Sequence, residues 1–185
     1  YNHGYNDFTL SGRMLATVYH VGGALTGAVH HPINLTILGK VGKSCGVQSS
    51  YLNLWIKGSA DMECGYVMKK SSVYVRSGDI RAAGWSAEDC FFYFPKNADY
   101  VGSDSVKSTF YIRGDVYAEV WHSFVAKNAE KSTFIVYGHW VTGSIKSNRC
   151  IFKSARPETI EEFKRSVPSG NRVVFLKEDG EEVIR

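Results

Sequence analysis

The sequence predicts an all-β body over residues 1–155 followed by a short αβ tail over 156–185. Three observations carry that prediction. Short apolar or alternating runs recur between turn residues along the first 150 or so positions, a spacing that suits sandwiches and barrels. Aromatic residues make up 14% of the chain, with 11 Tyr, 10 Phe and 4 Trp, and occur beside many Val and Thr, the residue types that fit a pleated, half-buried surface. After Ser154 the pattern changes to one helical segment and a last strand.

In chain order the strand-like runs are Phe8–Leu10, Met14–Val21, Ile33–Leu38, Tyr51–Ile56, Tyr66–Met68 and Val73–Val75. They continue with Phe91–Phe94, Thr109–Ile112, Val116–Val125, Thr133–Val141 and Cys150–Phe152. Between them stand Ser11-Gly12, Gly22-Gly23, Lys57-Gly58, Ser77-Gly78-Asp79, Arg113-Gly114-Asp115 and Thr142-Gly143, which is turn chemistry. Lys127–Lys131 reads as a hairpin tip. The helix is expected over Arg156–Val167, because Pro157 and Glu158 suit its start, Lys164 and Arg165 its end, and Ile160, Phe163 and Val167 share a face. Pro168-Ser169-Gly170 ends it, and Arg172–Leu176 forms the final strand before Asp179-Gly180. No internal repeat is evident by inspection.

With 185 residues, 20.6 kDa, 44% hydrophobic and 22% charged residues, the chain has the size and composition of one globular domain, which excludes the disordered class. Its net charge of +4 and pI near 8.8 go with scattered basic residues, so the charge reads as a mildly basic solvated surface. No apolar run is long enough to cross a bilayer, so no membrane insertion is expected. The four cysteines, Cys45, Cys64, Cys90 and Cys150, form no CxxC pair. That spacing argues against a zinc site and favours reduced, buried thiols. His30-His31 would point to opposite faces of a strand, so no metal and no cofactor are expected. Tyr1 rather than Met opens the sequence, which suggests a processed product or an excised piece of something longer.

Several segments then fall in an order that resembles the chymotrypsin-like proteases, in particular the picornavirus and nidovirus main proteases. Asp7–Val21 reads as strand, turn, strand and a histidine, His20, ahead of a Gly-rich loop. Ile56–Cys64 offers Asp61, with Glu63 as runner-up, and Ser132–Ser144 carries Thr133 and Gly138-His139. The resemblance implies two antiparallel six-stranded-type barrels within 1–155, divided near 80–105. It implies His20 as general base, Asp61 as the acid that orients it, and His139 with Thr133 and Gly138 in the substrate pocket. At the nucleophile position stands Gly114-Asp115-Val116-Tyr117. Valine carries no nucleophilic atom, so the resemblance implies an impaired, pseudoenzyme form of the fold. Cys45, within Gly42-Lys43-Ser44-Cys45-Gly46, is the alternative nucleophile, with His122 or His139 as base; Ser103 is another candidate. The tail after Arg156 is similar in kind to the C-terminal extension of arterivirus main proteases.

The expected function is therefore a viral-type polyprotein domain that binds peptide or protein segments of the same polyprotein, or RNA through residues such as Tyr117, Trp121 and Trp140. The alternatives are an active endopeptidase (a serine or cysteine hydrolase) whose nucleophile no motif reveals, and a secreted all-β attachment domain. An intracellular setting, host cytoplasm if viral, goes with the first two readings. Disulfides and a glycan at Asn34-Leu35-Thr36 go with the last.

Overall fold

A computed structural model describes residues 6–117, 125–141, 146–177 and the backbone of 182–183. The chain forms β1 (Asp7–Leu10), a 3-10 turn (Arg13–Ala16), β2 (Ile33–Ile37), β3 (Leu52–Ile56), β4 (Ser72–Val75), β5 (Ile80–Arg81) and β6 (Phe91–Phe94). It continues through β7 (Ala98–Asp99), β8 (Thr109–Ile112), β9 (Val116–Tyr117), β10 (Ala129–Glu130), β11 (Thr133–Val136), β12 (Trp140–Val141) and β13 (Ser147–Asn148). Last come β14 (Ile151–Ser154), α1 (Pro157–Ser166), β15 (Arg172–Leu176) and β16 (Glu182–Val183).

These strands wind into a parallel β-solenoid. A ten-stranded sheet runs β1-β2-β3-β4-β6-β8-β11-β14-β15-β16, a second sheet runs β12-β9-β7-β5, and β10 pairs with β13. Pairing is parallel between all named strands except β15 with β16. This overturns the expected pair of antiparallel barrels, and with it the resemblance to chymotrypsin-like proteases. The alternation of buried and exposed residues was read correctly, since β2 and β3 each show buried, half-buried, buried along their length. A period of two marks a strand with one wet face but carries no information about strand direction. The described turn residues are corners of the coils rather than hairpins, while Thr142-Gly143 and Asp179-Gly180 lie outside the described residues. Lys127 and Asn128, read as a hairpin tip, lie in a turn that leads into β10, which pairs in parallel with β13.

Equivalent positions in successive coils are mostly 19, 18 or 24 residues apart, as the hydrogen bonds Leu52 N–H to Ser71 Oγ, Cys90 N–H to Ser108 Oγ and Ser108 N–H to Ser132 Oγ show. The sequence is thus repetitive, with a pitch that the variable turns disguise. Recurring corners make the point at the backbone. Tyr51, Lys70, Asp89, Lys107, Lys131 and Arg149 all take φ between 47° and 54°, the left-handed region in which bulky residues are uncommon. One turn further round, Gly46, Gly65, Gly84 and Gly102 take φ of 64–72°. Each of the last two sits against stacked Phe rings, so that a Cβ on Gly84 would lie 2.5 Å from Phe110 Cε1.

The inward side chains form one continuous core. Its spine is Phe92, Phe110, Phe134 and Phe152, one per coil, with centroids 4.9, 5.0 and 5.2 Å apart. Each is buried, and burial of such a side chain contributes about 1.5–3 kcal/mol. The helix forms within the stretch expected for it and closes the C-terminal end of the core. Phe163 of α1 lies 4.9 Å from Trp140 and 5.4 Å from Phe152, and Thr159 Oγ1 donates to the Gly138 carbonyl at 2.8 Å.

Candidate polyanion-binding face

Because strands stack in register, each outward position of the large sheet becomes a column parallel to the solenoid axis. Four such columns run across β3, β4, β6, β8, β11 and β14. The rows read Tyr51, Asn53, Trp55, Lys57; then Lys70, Ser72, Tyr74, Arg76; then Asp89, Phe91, Tyr93, Pro95. They continue with Lys107, Thr109, Tyr111, Arg113; Lys131, Thr133, Ile135, Tyr137; and Arg149, Ile151, Lys153, Ala155. Seven residues along a strand and six rungs across it give a face of about 20 Å by 25 Å.

Its chemistry is one-sided. The two outer columns carry Lys70, Lys107, Lys131 and Arg149 on one flank and Lys57, Arg76 and Arg113 on the other, with Lys153 between them. Asp89 is the one carboxylate in these rows. Aromatic rings fill the middle. Trp55 stacks on Tyr74 at 5.7 Å and 8°, Tyr93 on Tyr111 at 5.3 Å, and Tyr111 meets Tyr137 at 5.2 Å. Trp55 with Tyr74 and Tyr93 with Tyr111 share their faces, whereas Tyr137 is tilted by 40° against Tyr111. Burial, with Tyr137 alongside, pushes the Tyr111 phenol up to about 12, so the hydroxyl stays a hydrogen-bond donor at every physiological pH.

At one flank the face dips into a hollow of about 460 Å³ lined by Tyr51, Lys70, Ser72, Asp89, Phe91 and Lys107, among others. Phe91 lies 5.5 Å from Tyr74 and is tilted by 42° against it, at the edge of the hollow. Lys70 Nζ lies 3.3 Å from the Tyr51 hydroxyl and 5.5 Å from its ring centroid. That hydroxyl, then Coulomb attraction from Tyr51, Asp89 and Glu88, holds the Lys70 ammonium above its ordinary range. Beside this column Lys69 pairs with Glu88 at 2.9 Å, and within it Lys131 is paired with Glu130 at 3.0 Å.

The second sheet has the opposite character. Asp61, Asp79, Asp99 and Arg81, with Asn97 and Tyr117, line a groove of about 560 Å³. Side-chain oxygens there brace successive coils: Asp79 Oδ1 accepts from Asn97 N–H, Asn97 Oδ1 from Asp115 N–H, and Asp115 Oδ1 from His139 N–H. Charge is therefore sorted between two faces, which a net value of +4 conceals.

The residues singled out by sequence are dispersed over this frame. His20 is exposed at a left-handed corner, φ 61°, on the first coil, and its N–H donates to Lys43 of the second. Asp61 lies a coil further on at the rim of the acidic groove, where its Oδ1 accepts Met62 N–H. Two rungs of about 4.8 Å separate their coils, and the structure does not bring the pair together. Glu63 instead accepts the Ser44 hydroxyl at 2.8 Å. Val116 is a fully buried core residue and Ser103 is 1% exposed. His139 is exposed, Thr133 sits half-buried on the cationic face, and Gly138 stacks against Gly114. Cys45 is buried against Cys64, and that contact together with burial raises its thiol well above the ordinary range. Asn34 donates through Nδ2 to Asp7 and accepts from Asn53. Tyr117 and Trp140 belong to the acidic side and the core, while Trp121 and His122 lie outside the described residues. Among the described residues no group of three or more His, Cys, Asp or Glu is placed to hold a metal ion.

Sequence reasoning missed the cationic columns because their members are far apart in sequence. A signal for them existed. Cys45-Gly46, Cys64-Gly65, Ala83-Gly84 and Val101-Gly102 repeat a small or β-branched residue before glycine at the coil pitch, and stepping Lys57 forward by one pitch lands on Arg76. Comparison of the chain with protein-family models, with curated proteins and with solved structures returned no match.

Proposed function

We propose that the chain is a non-catalytic binding module that holds single-stranded RNA on the outer face of its large sheet. One observation carries this reading: two columns of cations flank an aromatic strip on a face with a single carboxylate among its rows. Such an arrangement suits a phosphate backbone and unstacked bases. The hollow beside Phe91 favours a single strand over a duplex. The hollow is open to solvent and offers an aromatic ring and two ammonium groups, beside the Asp89 carboxylate, to one nucleotide.

Fluorescence anisotropy with a labelled single-stranded RNA, a duplex DNA and heparin as competitor tests the proposal. The expected result is RNA binding that weakens steeply with salt, by counterion release. Arg76→Glu combined with Lys107→Glu should weaken it at least ~10-fold, since both side chains are exposed and their reversal doubles the lost attraction. Phe91→Ala should cost about 1–3 kcal/mol if a base stacks there. Binding unaffected by the double reversal would sink the proposal. So would heparin or duplex binding as tight as RNA binding, because a general polyanion surface needs no nucleotide hollow.

A further inference from the structure

We propose, resting on the RNA reading of the large sheet, that the hollow beside Phe91 selects guanine, with the Asp89 carboxylate reading the base's Watson–Crick edge. Asp89 is the one acid among the six rows of a face whose other charges all suit phosphate. A carboxylate there repels a polyanion, so its presence needs a physical reason.

The backbone does not supply that reason. Asp89 occupies a left-handed corner, φ 53°, which aspartate tolerates well. Yet the equivalent corners hold Tyr51, Lys70, Lys107, Lys131 and Arg149 at φ of 47–54°, so the fold accepts a cation at this position. Bracing between coils does not supply it either. Asp79 and Asp115 each accept a backbone N–H from the next coil. The Asp89 carboxylate is exposed, and among the described residues it accepts no hydrogen bond and forms no ion pair.

Its neighbours put it at the edge of a base. Asp89 and Phe91 lie two residues apart on one rung, and Ser72 of β4 stands in register with Phe91. Lys70 belongs to the rung before, since its N–H donates to the Glu88 carbonyl at 2.8 Å. Lys107 belongs to the rung after, since Asp89 N–H donates to the Val106 carbonyl at 3.0 Å. Rungs are about 4.8 Å apart, so the carboxylate has a lysine on each side, and all five residues line the hollow.

A base stacked on Phe91 therefore meets an anionic acceptor flanked by two donors. Among the four RNA bases guanine alone presents two adjacent donors on that edge, N1–H and the N2 amino group, beside the O6 acceptor. One carboxylate accepts both at once, and a flanking ammonium donates to O6. Adenine and cytosine place a ring-nitrogen acceptor next to their amino group. Uracil places a carbonyl on each side of its one N–H. Each of these three sets a lone pair against a carboxylate oxygen, so the same aspartate that accepts guanine rejects them.

Fluorescence anisotropy with labelled oligouridylates is the test. One strand is all uridine, one carries a single central guanosine, and one carries inosine there, which lacks the N2 amino group. The guanosine strand should bind wild type about 10-fold more tightly than the all-uridine strand, the scale of one good bidentate base contact. Inosine should lose most of that gain. Asp89→Asn keeps the corner, because asparagine also takes a left-handed φ readily, and it removes one negative charge. It should bind the all-uridine strand more tightly than wild type does, yet lose the preference for guanosine. Those opposite shifts separate base readout from an aspartate that only balances charge. Equal wild-type affinity for the guanosine and all-uridine strands, both weakening in salt, would leave the RNA reading standing and overturn guanine selection. Absence of salt-dependent binding to any strand would remove both. A guanosine preference that survives in Asp89→Asn also overturns the proposal. So does displacement of the strand by equimolar guanosine monophosphate, which would make the hollow a free-nucleotide site.

Discussion

The Asp115 carboxylate accepts the His139 N–H at 2.7 Å and the Tyr117 hydroxyl at 2.8 Å, and so ties two coils and two side chains together. The backbone donor from His139, then the Tyr117 hydroxyl, hold its carboxyl below the usual range. A depressed folded value means that the stabilisation is present above the unfolded pKa and is lost as pH falls through the folded one. Asp115→Ala should cost about 1–3 kcal/mol in urea unfolding at neutral pH, because it strands a backbone donor. The gap between variant and wild type should narrow in strong acid. Asp115→Asn should cost less and flatten that pH dependence, since Asn97 already performs the same task one coil earlier with an amide oxygen. The thiols make a second residue-scale prediction. Burial pushes Cys90 up to about 11 and also raises Cys150, while Cys64 and burial raise Cys45. All four thiols are buried and thiolate is the reactive form, so Ellman's reagent should label none of the four cysteines in the native chain and all four after unfolding. Rapid labelling of Cys45 in the folded state would contradict its placement beside Cys64.

Among the elements, β11 sits at the centre of the ring stack, with Phe134 between Phe110 and Phe152. Phe134→Ala should destabilise by about 3–5 kcal/mol, because rings fixed on both sides cannot close the cavity. Gly84→Ala should also destabilise by more than the usual glycine-to-alanine change. Its φ of 64° resists a side chain and the new Cβ would meet Phe110 at 2.5 Å. Thermal melts of both variants check these values. The same strands show what a sequence can disclose. Alternation placed Ile33–Leu38, Val73–Val75, Phe91–Phe94 and Thr109–Ile112 close to their observed bounds, and the polar-to-apolar rhythm of Pro157–Val167 placed α1. Strand direction stayed hidden because a lone strand looks alike in either orientation, and pairing is decided between coils. Coil corners at Lys70 or Lys107 resembled loop residues, since nothing in a lysine announces a left-handed φ. The cationic face could therefore not be assembled until the 18-, 19- and 24-residue pitches were known. His20 and Asp61 match the order of motifs in chymotrypsin-like proteases, but order along a chain does not create proximity.

At the scale of the whole molecule the solenoid is a stack in which each coil touches only its neighbours, so stability should follow a nearest-neighbour rule. Central coils are held on both sides, and the last is held by α1 through Trp140 and Phe163. Among the described residues the first coil is held from the β2 side, and most of residues 7–31 are exposed. Hydrogen–deuterium exchange should therefore be slowest in β3, β4, β6, β8 and β11, slow in β14, and fastest in the first coil. Phe163→Ala should quicken exchange in β14 before it affects β4, because the loss spreads inward from the end it uncaps. A uniform rate along the chain would mean that the coils unfold as one unit and would remove the nearest-neighbour account.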